Sequence, residues 1–258
     1  MRKNSRHSSD EAERLKKEGV NLNLIDIVGV SNDTPCRSLT LEIVSVYLAA
    51  VNCSDSEKRR WTLIMDEAEF LPRSILTEKL PVLHPGERIT LELTESAGLF
   101  DPKLRSRTCV SQRWFPLLLE WVDFIHEPEM GKLGRVAGSG HIEKLSGMGP
   151  GLTPAGDDFI AGWIVALRSI ASLGTRKKIR EFCAAWQPEK TTWLSKWMVF
   201  DAIRGKTWKR GKDLLSTMSQ NDSEATWKAV AAILSWGHTS GKAWLAGLAR
   251  GFIEHSET

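Results

Sequence analysis

The sequence predicts an α+β protein: a small N-terminal antiparallel β-sheet or barrel, followed by a C-terminal helical domain that carries a glycine-rich loop. Two observations point there. Ile, Val and Leu concentrate in short runs between residues 20 and 110, broken by charged or proline-containing segments, which is the pattern of strands. From Trp114 onward the apolar residues recur at helical spacing instead. Tryptophan follows the same division. The chain has 11 Trp against one Tyr, and all but Trp61 fall between Trp114 and Trp244. Tryptophans at helical spacing bury large apolar area, so they are read as core.

Residues 1–19 form a charged leader, disordered or loosely helical, without the apolar stretch of a signal peptide. The β-rich domain is assigned to 20–111. Its strands are Asn21–Val30, Ser38–Val51, Trp61–Met65 and Arg88–Leu93, the last alternating Ile89, Leu91 and Leu93 after a His84-Pro85-Gly86 turn. The helical domain takes 112–258. Its first helix has Phe115, Leu118, Leu119, Val122 and Ile125 on one face. A second starts after the glycine loop, with Thr153 at the N-cap, Pro154 at the first helical position, and Phe159, Ile160, Trp163, Ile164 and Leu167 facing inward. A third runs from a Thr191 or Thr192 cap to Gly205. A fourth covers Glu224–Trp236 with Trp227, Val230, Ala231 and Leu234 aligned, and the last runs from about Gly241 to Phe252, where Gly247 and Gly251 permit close helix packing.

Composition excludes several functions. With 41% hydrophobic and 26% charged residues and a formal charge of +3, the chain lacks a polyanion-scale field, so nucleic acid is not an expected partner. The longest apolar run, Phe159–Leu167, is far short of the roughly 20 residues that span a bilayer, so no membrane association is expected. Cys36, Cys53, Cys109 and Cys183 are scattered, with neither metal-ligand spacing nor disulfide density. Reduced thiols in a cytoplasmic protein are the reading that follows.

The segment with chemical intent is Gly147-Met148-Gly149-Pro150-Gly151-Leu152-Thr153-Pro154-Ala155-Gly156-Asp157-Asp158. Four glycines within ten residues cost chain entropy, so a tight backbone arrangement or a close ligand approach must require them. The loop leads into a helix start, where free N–H groups and the positive dipole end favour a phosphate or carboxylate. Asp157 and Asp158 would repel such an anion unless a divalent cation such as Mg²⁺ bridges them or they accept N–H groups from the same ligand. The alternative is that both merely complement the helix dipole. Gly151 and Gly156 have P-loop spacing, yet the aspartates stand where Lys and Ser/Thr belong, and no G-x-G-x-x-G is present. A second candidate is Gly237-His238-Thr239-Ser240-Gly241, where Thr239 or Ser240 can cap the last helix and His238 can exchange a proton.

Three motifs together, G-M-G-P-G-L-T-P-A-G-D-D at 147–158, T-T-x-x-S at 191–195 and G-H-T-S-G at 237–241, resemble the AllH-like family. The likeness extends over roughly residues 35–252. It departs at Lys242-Ala243, where the family commonly carries an Asp. The resemblance implies one subunit of a three-subunit oxamate carbamoyltransferase, acting in allantoin catabolism, which converts oxalurate and phosphate to oxamate and carbamoyl phosphate. It implies partner enzyme subunits and a small anionic or carbamoyl metabolite. On this reading Asp157, Asp158 and His238 are catalytic; Gly147, Gly149, Gly151, Thr153, Gly156, Thr192, Ser240 and Gly241 bind the substrate; and the two aspartates are candidate Mg²⁺ ligands. The alternatives are a noncatalytic metabolite-binding or assembly subunit, and a metal-dependent carboxylase-like enzyme.

Overall fold

The computed structural model describes residues 20–21, 25–35, 38–93, 97–105, 111–123 and 132–255. Contacts divide the chain into two compact units, one ending at Pro102 and the other beginning at Lys103. The 1–19 leader, Cys36, Cys109 and Ile125 lie outside the described residues.

Among its described residues the first unit is one eight-stranded sheet: β1 (Val20–Asn21), β2 (Ile27–Ser31), β3 (Ser38–Val46), β4 (Ala50–Ser54), β5 (Arg60–Ile64), β6 (Ser74–Thr77), β7 (Arg88–Glu92) and β8 (Gly98–Phe100), in the order β1-β7-β3-β4-β5-β6-β2-β8. The expectation of an antiparallel sheet needs correction, because the sheet is mixed: β1–β7, β5–β6 and β2–β8 pair in parallel. The parallel β5–β6 pair arises because the chain crosses over through Met65–Arg73, with a short 3-10 turn at Glu67–Glu69 capped by Asp66, instead of folding back as a hairpin. The run Ser38–Val51 is likewise two strands, joined by a tight turn in which Tyr47 N–H donates to the Ala50 carbonyl.

Alternation fixes which residues of this unit face inward. Leu39, Leu41 and Ile43 of β3 pack with Val51, Cys53, Trp61, Leu63, Ile75, Ile89 and Leu91. Strand β5 is buried along its whole length, so it has a second inward face, where Ile64 joins Phe70, Leu76 and Phe100. The thiols of Cys53 and Cys183 are free, and burial pushes Cys53 up to about 12.

Among its described residues the second unit has eight helices: α1 (Phe115–Asp123), α2 (Lys132–Gly138), α3 (Ala155–Ile170), α4 (Leu173–Ala185), α5 (Trp193–Ile203), α6 (Lys209–Ser219), α7 (Ser223–Leu234) and α8 (Ser240–His255). Helix α3 is buried over nearly its full circumference, consistent with a hydrophobic run that reads as core on every side. It packs against α8 at backbone distance. A Cβ on Gly247 would sit 2.0 Å from the Phe159 carbonyl oxygen, and one on Gly162 equally close to the Trp244 carbonyl. The packing role expected of Gly247 is therefore observed.

Most tryptophans fill this core. Trp163, Phe182, Trp186 and Phe200 form a chain of ring contacts 5.1–6.0 Å apart, and Trp208 meets both Trp236 and Trp244. Two predicted faces are corrected. In α7 the buried residues are Thr226, Val230 and Ile233, while Trp227 is 54% exposed and Ala231 and Leu234 also face outward. In α1 Leu119 is exposed and Leu117, Leu118 and Trp121 are buried. Helix α3 also starts one residue later than expected: Pro154 is the N-cap, without a side-chain cap bond, and Thr153 lies before it.

Candidate functional site at the glycine loop

The glycine loop is a built turn. Gly147, Gly149 and Gly151 have φ of +72°, +113° and +90°, values that only glycine adopts without strain. A Cβ on Gly147 would also lie 2.1 Å from the Lys190 carbonyl oxygen, so the loop passes directly over the segment that opens α5. Gly156 is similarly tight against the Leu145 carbonyl, at 2.0 Å. Gly151 has open space around its Cβ position, and Gly149, Pro150, Gly151 and Leu152 form the exposed tip.

Much of the loop's hydrogen-bonding capacity is spent internally. Met148 N–H donates to Leu145, Gly156 N–H to Met148, and the Asp157 and Asp158 N–H groups to the Pro154 carbonyl. The amides of Gly149, Gly151 and Leu152 in the exposed tip take no part in these bonds, and the tip lies just ahead of the N-terminus of a 16-residue helix.

The second motif clamps this loop. Thr191 Oγ1 donates to Asp157 Oδ2 at 2.5 Å, while Thr192 Oγ1, the N-cap of α5, donates to the Leu152 carbonyl at 2.6 Å. Ser195 Oγ reaches the same carbonyl at 3.5 Å, and its N–H bonds Thr192 Oγ1 at 3.2 Å. The third motif contributes Ser240, whose hydroxyl lies 3.2 Å from Thr153 Oγ1. All three motifs therefore meet at the start of α3. His238 does not join them: it stands exposed in the turn before α8, and none of the bonds within the cluster involves it. Gly241 is a packing residue, its Cβ position 2.0 Å from the Ile233 carbonyl oxygen.

The adjacent aspartates have opposite fates. Both are 1% exposed. Asp157 is satisfied by the protein: Oδ1 accepts from Gly147 N–H at 3.1 Å and from Ser146 Oγ at 3.4 Å, and Oδ2 from Thr191. Burial raises its proton affinity, and these three donors oppose the rise. Neither oxygen of Asp158 has a hydrogen-bond partner of normal geometry. Full burial pushes its carboxyl well above the usual carboxylate range, the Asp157 charge adds to that, and the adjoining Ser240 hydroxyl works in the opposite direction.

This arrangement does not suit Mg²⁺, which demands six oxygens in octahedral geometry and keeps several waters. Asp157 is committed to protein donors, which leaves one carboxyl, and no group of three or more His, Cys, Asp or Glu that could hold a metal ion gathers among the described residues.

Sequence reasoning missed two participants. Ser146 links Asp157 to the indole N–H of Trp186, which donates to Ser146 Oγ at 3.1 Å. A serine just before a glycine turn and a tryptophan at a helix end carry no spacing signal for that contact.

With this geometry in view, the chain can be set beside known proteins. Residues 145–252 match the family model of oxamate carbamoyltransferase subunit AllH. No curated protein and no solved structure matches. The AllH match is narrower than the 35–252 likeness read from the sequence, yet it contains all three motifs that converge on α3. The AllH stretch thus coincides with the glycine loop, its α5 clamp and the Thr153–Ser240 contact, and it lies wholly in the helical unit.

Proposed function

We propose that the chain is a subunit of an oxamate carbamoyltransferase-type enzyme, cytoplasmic and active in allantoin breakdown together with partner subunits. Its part is to hold a small carboxylate or carbamoyl compound at the glycine loop. The observation that carries this is the convergence of the three AllH-stretch motifs on the N-terminus of α3, beside an exposed glycine tip. Oxalurate and carbamoyl phosphate each join an anionic group to a carbamoyl NH₂. The tip amides and helix dipole supply the donors such an anion needs.

Within this proposal the residues divide by role. Gly149, Gly151 and Leu152 bind ligand oxygens through their N–H groups, and Thr153 and Ser240 add hydroxyls beside them. Asp157, Thr191, Thr192 and Ser195 hold the loop in its binding shape. His238 serves as the acid–base group once the exposed turn is covered by a partner chain.

A melting series tests the proposal, using the purified chain with oxalurate, oxamate, carbamoyl phosphate or phosphate. A ligand at about 100 times its Kd adds roughly 2.7 kcal/mol, or several degrees for a chain of this size. The expected result is a shift with the carboxylate and carbamoyl compounds that is lost in Gly151→Ala. No shift with any of them, in the chain or in the reconstituted complex, would sink the proposal.

A further inference from the structure

Asp157 and Asp158 are neighbours in the same helical turn, equally buried, and only one is provided for. Asp157 receives three hydrogen bonds from the loop and from Thr191. Asp158 receives none of normal geometry on either oxygen. A buried carboxyl whose one adjoining hydroxyl makes no bond of normal geometry is a standing cost to folding, and a sequence that keeps one beside a fully satisfied twin points to a donor outside the chain. The polar groups that adjoin it belong to the ligand loop. Ser240 stands beside Asp158 on α8, and the Ser240 hydroxyl is bonded to Thr153, the residue that follows the exposed tip.

Building on the proposed function, we propose that Asp158 is the acceptor for the ligand's amide. When the Thr153–Ser240 hydroxyl pair opens, the NH₂ of a carbamoyl or oxamic group donates to an Asp158 carboxyl oxygen while the ligand's anionic end is held by the tip amides of Gly149, Gly151 and Leu152. The ligand class is a small carboxylate joined to a primary amide. Asp157 cannot take this part, because its oxygens are already committed to Gly147, Ser146 and Thr191. The same site discriminates: a ligand of equal size that replaces the NH₂ with an oxygen has no N–H to give Asp158 and brings a second negative charge into a buried place.

Oxamate and oxalate are such a pair, nearly identical in shape and differing at that one group. The test is calorimetric titration of each into the purified chain and into the complex reconstituted with its partner subunits. Oxamate should bind the unaltered protein at least about tenfold more tightly than oxalate, the margin expected of a site that pairs a ligand N–H. In Asp158→Asn the preference should shrink to within about threefold, since the Asn amide both donates and accepts. Removal of the orphan carboxyl should leave that variant folded with an unchanged or higher melting temperature. Asp213→Asn, at an exposed carboxylate on α6 outside the loop site, should keep the preference for oxamate and so serves as a second variant. Equal binding of the two ligands, or tighter oxalate, overturns this inference and leaves the loop site standing. So does a preference unchanged by Asp158→Asn, or lost in Asp213→Asn. A melting shift with Mg²⁺ alone that Asp158→Asn abolishes overturns it in favour of a cation. Absence of binding for both ligands in chain and complex overturns it together with the loop site.

Discussion

Asp157 shows how one side chain can organise a loop. It ties Gly147, Ser146 and Thr191 to the first turn of α3, so the glycine loop and the α5 cap are held by one carboxylate. Asp157→Asn replaces one of the two acceptor oxygens with an NH₂, set either against the Gly147 N–H or against the Thr191 hydroxyl, and should cost about 1–3 kcal/mol of stability, read from a denaturant melt. A similar device serves the β-unit. Asp55 accepts from Trp61 Nε1 at 2.9 Å, from Arg59 Nε at 2.7 Å and from the Arg59 N–H at 2.9 Å. Burial pushes the Asp55 carboxyl up, yet the donors of Trp61 and Arg59 outweigh it and hold the group below its ordinary value. A carboxyl lowered by folding contributes stability that is complete above its unfolded pKa and is lost as pH falls through the folded value. Asp55→Asn should therefore flatten the acid side of the stability profile below about pH 4. A profile with the same acid slope as the parent would contradict that account.

At the level of elements, the α3–α8 crossing sets the frame on which the loop sits. The crossing depends on glycine where the backbones touch. Gly247→Ala drives a methyl into the Phe159 carbonyl and should destabilise by about 1–3 kcal/mol or more, lowering the melting temperature by several degrees. The reading of Gly247 and Gly251 as packing residues came from their spacing alone, and helix caps at Thr192 and Gly205 were equally plain, because local chemistry decides them. What local chemistry does not decide was misread. The β3–β4 turn at Tyr47-Leu48-Ala49 lacks glycine, proline and asparagine, so two strands looked like one. The short buried strand β6 has no alternation, and the parallel pairings depend on crossovers between distant segments. In α7 and α1 the apolar positions fit more than one stripe, and the packing partner chose the one without Trp227 and Leu119.

For the molecule as a whole, the α+β division was legible because the hydrophobic period changes along the chain, from strand-like runs to helical spacing. The site was legible as three motifs and not as a set of contacts. Glycine spacing announced the loop, but the Thr191–Asp157 bond and the Thr153–Ser240 contact join residues 34 and 87 apart in sequence. Nothing in the sequence distinguishes Asp157, fully bonded, from Asp158, equally buried with only the Ser240 hydroxyl adjoining it. The AllH match likewise stops at residue 145, so the β-unit stands outside it. Among the described residues no helix is long and apolar enough to cross a membrane.

The central claim is that the glycine loop of the AllH stretch holds the substrate of a carbamoyl transfer. The most direct measurement is carbamoyl phosphate formation from oxalurate and phosphate by the complex reconstituted from purified subunits, with this chain unaltered, omitted, or carrying Gly151→Ala. Turnover that requires the chain and falls at least about tenfold in the variant, with folding intact, is the predicted result. Equal turnover by the complex without this chain, or with the altered loop, would contradict it.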